Sequence, residues 1–226
     1  MLRDIKILLL ITVIFFCGCA KTVTPLPQLG NELKINIRFR SNVDPSKYRY
    51  YIIFSEKVIK IPYSTYPVNY FFGPGEDYDK NSMDVSTYLV DYYTRYFITW
   101  NDFVLLKDNV YNMTNGPFTD STLHATYKPS LLDYRSVASG DVAGQKTISV
   151  TVYFNRLSSV PPILYFNFAA VDPTGCTSGG YLLDYLRATD NTISTVQGTS
   201  ITGKIEPQDL SIDGALDITS WDMTIQ

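Results

Sequence analysis

The sequence predicts an all-β chain folded as an antiparallel β-sandwich, immunoglobulin-like or jelly-roll in arrangement, with at most one or two short helices. Three observations carry that expectation. Short apolar runs alternate with a period of two and are closed by turn residues. Eighteen Tyr and twelve Phe among 226 residues, against 18% charged side chains, match the aromatic enrichment of strands. No stretch sustains a helical period long enough to build a helix layer.

Residues 32–40 (ELKINIRFR) put Leu33, Ile35, Ile37 and Phe39 on one face and polar side chains on the other, the mark of a half-buried strand. Asn42-Val43-Asp44-Pro45 supplies turn chemistry. Tyr50-Tyr51-Ile52-Ile53-Phe54 is apolar on both faces and reads as a strand buried on both sides. These two strands are expected to form an opening hairpin. Residues 62–82 form a long connection rich in Pro, Gly and aromatics, with a short strand at 68–72. The stretch from Val85 to Trp100 divides between strands and a helical turn at Tyr88–Asp91. Phe103–Leu106 is a strand, and Asn115-Gly116-Pro117 is a turn. Lys146–Phe154 alternates Ile148, Val150 and Val152, and Ile163–Val171 is a further apolar strand. Tyr181–Arg187 is the best helix candidate. Residues 188–203 read as loop and edge strand, and Leu216–Ile225 closes the chain as a strand holding Trp221. No internal repeat is visible.

The N-terminus has a different character. Arg3 and Lys6 precede an apolar run at 7–16 that is too short for a stable bilayer-spanning helix. The run closes on Phe16-Cys17-Gly18-Cys19, which resembles the lipobox of bacterial lipoproteins, with Phe16 where Leu is usual. The resemblance implies that residues 1–18 are a signal peptide and that the Cys19 thiol carries a diacylglycerol. Cleavage then falls before Cys19, whose new amine is open to acylation. Residues 19–31 become a lipidated tether, in which Pro25 and Pro27 disfavour a helix. Residues 32–226 are left as one β-sandwich domain. Ala20 lacks the Asp that marks inner-membrane retention in that family, which points to the outer membrane of a cell envelope that has one. An uncleaved anchor or an ordinary secretory signal is the competing reading.

Charge excludes some partners. A formal net charge of −3 leaves no electrostatic footprint for nucleic acid and no polybasic face for lipid headgroups. Membrane attachment is therefore expected through the acyl chains. Cys17 leaves with the signal and Cys19 is consumed, so Cys176 stands alone and no intramolecular disulfide is expected. That thiol is either a small buried hydrophobe or a nucleophile.

The order of features also resembles that of export-tethered bacterial β-sandwich proteins. The shared features are the first strand, Val43-Asp44-Pro45-Ser46, Tyr48-Arg49-Tyr50-Tyr51-Ile52-Ile53-Phe54, and the Gly73-Pro74 loop with paired tyrosines after it. This likeness covers residues 32 to 118, with an echo at 146 to 186, and implies a fold without an activity.

Four constellations were weighed for chemistry. Asp77, Asp79 and Asn81 have a D-x-D-x-N spacing that puts oxygens on one side of a loop, and with Asp84 they form a candidate structural calcium site. It is not an EF-hand, since Ser82 and Tyr88 stand where Gly and Glu are needed; a solvated acidic loop is the competing reading. Cys176, His124 and Arg187 are similar in order and spacing to the residues of sortases, which implies a cysteine transpeptidase. The strand-end Thr-Leu-x-Thr that precedes a sortase cysteine is replaced here by Asp172-Pro173-Thr174-Gly175. Ser178-Gly179-Gly180 lacks the preceding Gly-Asp of trypsin-like proteases and reads as a turn. Tyr63, Tyr66, Tyr70 and Phe72 crowd one connection and are candidates for stacking on sugar rings, or else for anchoring that connection to the core. One His and no Cys pair leave no nitrogen or sulfur set for zinc, and phosphate-cradling loops are absent. The expected role is thus a non-catalytic, lipid-anchored binding or assembly module of the cell envelope. Its expected partner is an envelope protein or polysaccharide. A glycan binder using residues 63–72 and a sortase-like enzyme are the alternatives.

Overall fold

Eleven strands are resolved in the computed structural model, which describes residues 28–61, 70–71, 73–74, 97–116, 118, 144–176, 179–188 and 191–226. They are β1 (Glu32–Phe39), β2 (Arg49–Ser55), β3 (Tyr70–Phe71), β4 (Asp102–Lys107), β5 (Val110–Asn115) and β6 (Thr147–Tyr153) in the first part of the chain. β7 (Ile163–Asp172), β8 (Gly180–Tyr185), β9 (Thr192–Ser194), β10 (Ser200–Ile205) and β11 (Ile218–Ile225) follow. The helical content of the described residues is two 3-10 turns, Phe97–Thr99 and Phe154–Arg156.

The strands form two antiparallel sheets packed face to face, the all-β sandwich that the alternation predicts. The smaller sheet runs β10-β11-β1-β6, and the larger runs β3-β8-β7-β2-β4-β5. β9 shares one edge of β7 with β8, pairing its first residues while β8 pairs its last. The predicted alternation of β1 is realised: Leu33, Ile35, Ile37 and Phe39 are buried. They meet Ile148, Val150 and Val152 of β6 and Trp221, Met223 and Ile225 of β11, and opposite them stand Tyr50, Ile52 and Phe54 of β2 and Phe166 and Phe168 of β7. The outer face of the smaller sheet is polar, as in the Asn36–Asp222 and Ser149–Asn36 hydrogen bonds of 2.6 and 2.8 Å.

β2 is buried on both faces, as its composition predicts. Its even-numbered residues join the inter-sheet core, while Tyr51 and Ile53 enter a second cluster on the far side of the larger sheet. Ile59, Tyr70, Phe71, Phe97, Trp100 and Phe118 cover that far side. The rings interlock edge-on, for example Phe97 against Trp100 at 4.9 Å and 74°. Gly73 is needed where this layer meets β2, because a Cβ there would lie 2.5 Å from the Tyr51 hydroxyl.

Two expectations are corrected. β1 and β2 do not form a hairpin: β1 pairs with β11 and β6, and β2 with β4 and β7. A strand apolar on both faces must sit in the centre of the covered sheet, so residues 40–48 carry the chain across from one sheet to the other. The turn chemistry itself is present, with Asp44 Oδ1 accepting the Ser46 N–H at 3.2 Å. Residues 181–187 are not a helix but largely β8, in which a register shift puts Leu182 opposite Val171 in the outer aromatic cluster and Asp184 opposite Ala170 on the inter-sheet side. The shift breaks the period of two, and Asp184 sets a carboxylate where an apolar side chain would be expected. The hairpin β4–β5 turns on Asp108 and Asn109, both at positive φ (53° and 59°), a pair of left-handed residues suited to a two-residue turn.

The sandwich has two ends. At one, the N-terminal chain is sewn to the body: Leu29 bridges Val196, Gly30 N–H donates to Thr195 O at 2.9 Å, and Asn31 N–H donates to Gln226 O at 2.6 Å. At the other end, roughly 25 Å away along the eight residues of β1, lie the 40–48 crossover and the 213–217 segment.

Candidate functional site

Burial and polarity decide which of the sequence candidates meet. Tyr70 is 4% exposed and packs edge-on against Tyr181 (5.5 Å, 81°), so its ring face is turned into the aromatic layer and not toward solvent. Its place agrees with the anchoring reading. Tyr63, Tyr66, Phe72, Asp77, Asp79, Asn81, Asp84, His124 and Cys19 lie outside the described residues. No group of three or more His, Cys, Asp or Glu side chains suited to a metal occurs among the described residues.

Cys176 lies in the turn between β7 and β8, half-buried against the outer aromatic layer, with Sγ 4.0 Å from Thr174 O. Arg187 is exposed just beyond the opposite end of β8. Five strand rises separate Gly180 from Tyr185, roughly 17 Å at ~3.3 Å each. β8 thus holds the thiol and the guanidinium apart instead of converging them on one oxyanion.

Two buried carboxylates organise the far end. Asp217 is fully buried and accepts Arg40 Nε at 2.6 Å and the Asp209 N–H at 3.1 Å. The same guanidinium donates to Ile212 O at 2.6 Å and Asp209 O at 3.2 Å. Asp184 accepts the Ile218 N–H at 2.7 Å, a hydrogen bond from the smaller sheet to the larger. Burial pushes its carboxyl up to about 6, opposed by the N–H groups of Ile218 and Tyr185. Asp184 thus ties the two sheets together, while Asp217 ties the end of β1 to the 209–217 segment.

Clefts lined by described residues open at one end and at one side of the sandwich. The end cleft, about 400 Å³, is lined by Ser41, Asn42, Asp44, Lys47, Tyr48, Lys146, Asp213 and Ala215. Three of its polar groups engage one another: Tyr48 Oη donates to Asp213 at 2.7 Å, and Lys47 Nζ stands 4.5 Å over the Tyr48 ring. The Asp213 carboxyl is held low by the Ala215 N–H and the Tyr48 hydroxyl.

The side cleft, about 430 Å³, lies where β10 overhangs the edge of the larger sheet. Phe166 and Trp221 lie at its base, both buried (1% and 4% exposed), and Asn191, Thr192, Ser200, Lys204 and Glu206 supply polar groups around its rim. The Trp221 indole N–H donates to Glu206 at 3.1 Å and so fixes that carboxylate over the base. Trp221 is held edge-on by Phe166 and Phe168, at 5.2 and 5.9 Å. The rings are thus spent on the inter-sheet core, and the cleft presents mainly its polar rim. The sequence places Phe166 and Trp221 in apolar strands and residues 188–203 in loop and edge strand, and singles out none of them as a site. The one signal was Gly203 inside a strand-like run, which marks a bulge. A scan against protein-family models, a search of curated proteins and a search of solved structures each return no match to this chain.

Proposed function

We propose that this chain is a lipid-anchored, non-catalytic binding or assembly module of a bacterial cell envelope, on the outer membrane where there is one. The observation that supports it is the lipobox-like Phe16–Cys19, set just ahead of the point where Leu29 and Gly30 join one end of the sandwich. Residues 20–28 span at most about 30 Å when extended, so a lipidated Cys19 tethers the sandwich by that end close to the lipid surface. The end cleft then faces outward and the side cleft lies between. The separation of Cys176 from Arg187 across β8 supports the non-catalytic reading. Metabolic labelling with radioactive palmitate tests the anchor. Label should enter the protein, and Cys19→Ala should abolish labelling and release the chain from membranes. Unlabelled protein that stays in the membrane fraction would overturn the lipid anchor.

A further inference from the structure

The two edges of the smaller sheet are built differently. On one side, β10 carries a bulge at Gly203 (φ +65°) followed by Lys204, and it runs out into Pro207. Bulges, lysines and prolines are the features that keep a sheet edge from pairing with another chain. On the other side, β6 (TISVTVY) has none of them. Its seven residues are rich in strand formers and include no charge, no Pro and no Gly. The edges of the larger sheet are short or weaker in strand formers. β3 has two residues and β9 three, and β5 contains Asn112 and Asn115.

The register of β6 shows which of its backbone groups are open. Phe39 N–H donates to Lys146 O at 2.8 Å, and Phe154 N–H to Asn31 O at 2.9 Å. Even-numbered residues of β6 therefore turn their backbone groups toward β1. Those of Thr147, Ser149, Thr151 and Tyr153 point to the outer edge, where no described strand pairs with them. The Tyr111 hydroxyl reaches the Ser149 carbonyl at 3.4 Å, which keeps a second lone pair for another donor. The strand is also its own complement. Set antiparallel to a copy of itself about Val150, Ser149 meets Thr151 and Thr147 meets Tyr153 on the outer face, while Ile148 meets Val152 on the inner face. Each meeting occurs twice, the isologous contact of a twofold dimer. The open groups of the two strands then face one another and close about eight backbone hydrogen bonds. No like charges meet along the strand. Any extended peptide could use the same backbone groups, but the side-chain match in this register belongs to a second copy.

We infer that two copies of this chain pair edge to edge, β6 against β6 in antiparallel about Val150, so that the smaller sheet runs on across both. The inference goes beyond the binding-or-assembly reading and does not depend on the lipid anchor. Because the paired strands run opposite ways, the ends that carry Leu29 and Gly30 lie at opposite ends of the pair. A pair held on one membrane therefore lies along its surface. The full chain in detergent should sediment as a reversible dimer at roughly 100 μM. Ser149→Glu combined with Thr151→Glu sets like charges directly opposite one another in the pair, while within each copy the second substitution sits beside Lys34. The combined variant should keep its circular dichroism spectrum and raise the dimer Kd about tenfold or more. Ser149→Cys and Thr151→Cys, each made in a Cys176→Ser chain, test the register. Mixed, they should cross-link on oxidation; each alone should not, since like positions lie beyond the ~7 Å reach of a disulfide. Cys176→Ser without an added cysteine gives the background from Cys17 and Cys19, so failure of the anchor is not mistaken for failure of the pairing. Monomer throughout the range overturns the inference, as does a dimer unmoved by the two glutamates. Cross-linking of Ser149→Cys with itself as readily as with Thr151→Cys also overturns it. So does slow hydrogen exchange of the Thr147 and Tyr153 amides in the glutamate variant as a monomer, since the chain itself would then cover this edge.

Discussion

Arg40→Met removes the only side chain among the described residues that forms an ion pair with Asp217, which sits at 0% exposure beside the start of β11. The variant keeps most of the aliphatic stem and deletes the guanidinium. Left behind are a buried carboxylate with the Asp209 N–H and the carbonyls of Asp209 and Ile212. Breaking a buried pair from one side costs about 3–5 kcal/mol, because the remaining charge is uncompensated. The Arg40 side chain is 28% exposed, so water can enter its place and the lower figure applies, about 3 kcal/mol. Against a typical domain stability of roughly 5–15 kcal/mol, the loss is large and should appear as a clear drop in the urea midpoint with an unchanged slope. Arg40→Met combined with Asp217→Asn removes both charges and should recover at least half of the loss. A single variant that costs under about 1 kcal/mol, or a double variant no better than the single one, would refute the claim that this pair joins β1 to the 209–217 segment.

Two further outcomes follow from packing and burial. Asp184 has its carboxyl pushed up to about 6 from 3.8, so the folded state holds its proton more tightly than the unfolded chain does. Its contribution to stability is complete below pH 3.8 and is lost as pH rises through about 6, a change on the order of 3 kcal/mol. Urea titrations of wild type and Asp184→Asn at pH 4 and pH 7.5 should therefore show the variant gaining on wild type at the higher pH; parallel profiles would count against it. Phe71→Ala empties a fully buried ring site beside Tyr51 and Trp100 and should cost about 3–5 kcal/mol while shifting tryptophan emission to the red. A loss below about 1 kcal/mol would mean that the aromatic layer adds little to the sandwich.

The parts of this fold legible in the sequence are those where one physical effect dominates. β1, β6 and β11 sit with one face in the core, so their alternation is clear, and β2 shows its two-sided burial as an unbroken apolar run. Which strands share a sheet was not legible, because pairing is set by contacts far apart in the chain; β1 finds β11 rather than β2. β8 was mistaken for a helix since Asp184 occupies an inward position for the sake of one hydrogen bond to Ile218. The candidate cleft was hidden by the same kind of exception. Alternation from Ile201 puts Lys204 on the outer side, and only the inserted residue at Gly203 sets it opposite Trp221, at the rim of the cleft, where it stays exposed. Tyr70 shows the reverse case, an aromatic conspicuous in sequence whose ring is spent on anchoring a connection.

The pairing of β1 with β11 has a consequence for how the chain matures. The first strand of the sandwich takes the last as its neighbour, register for register from Leu33↔Ile225 onward. Residues 186 apart, Asn36 and Asp222, are joined by a hydrogen bond of 2.6 Å. The centre of the smaller sheet therefore stays empty until Ile218–Ile225 have been made, and closing so long a loop is slow. Formation of the smaller sheet is therefore a late, long-range event in folding, set by the topology and not by the local alternation that marks β1.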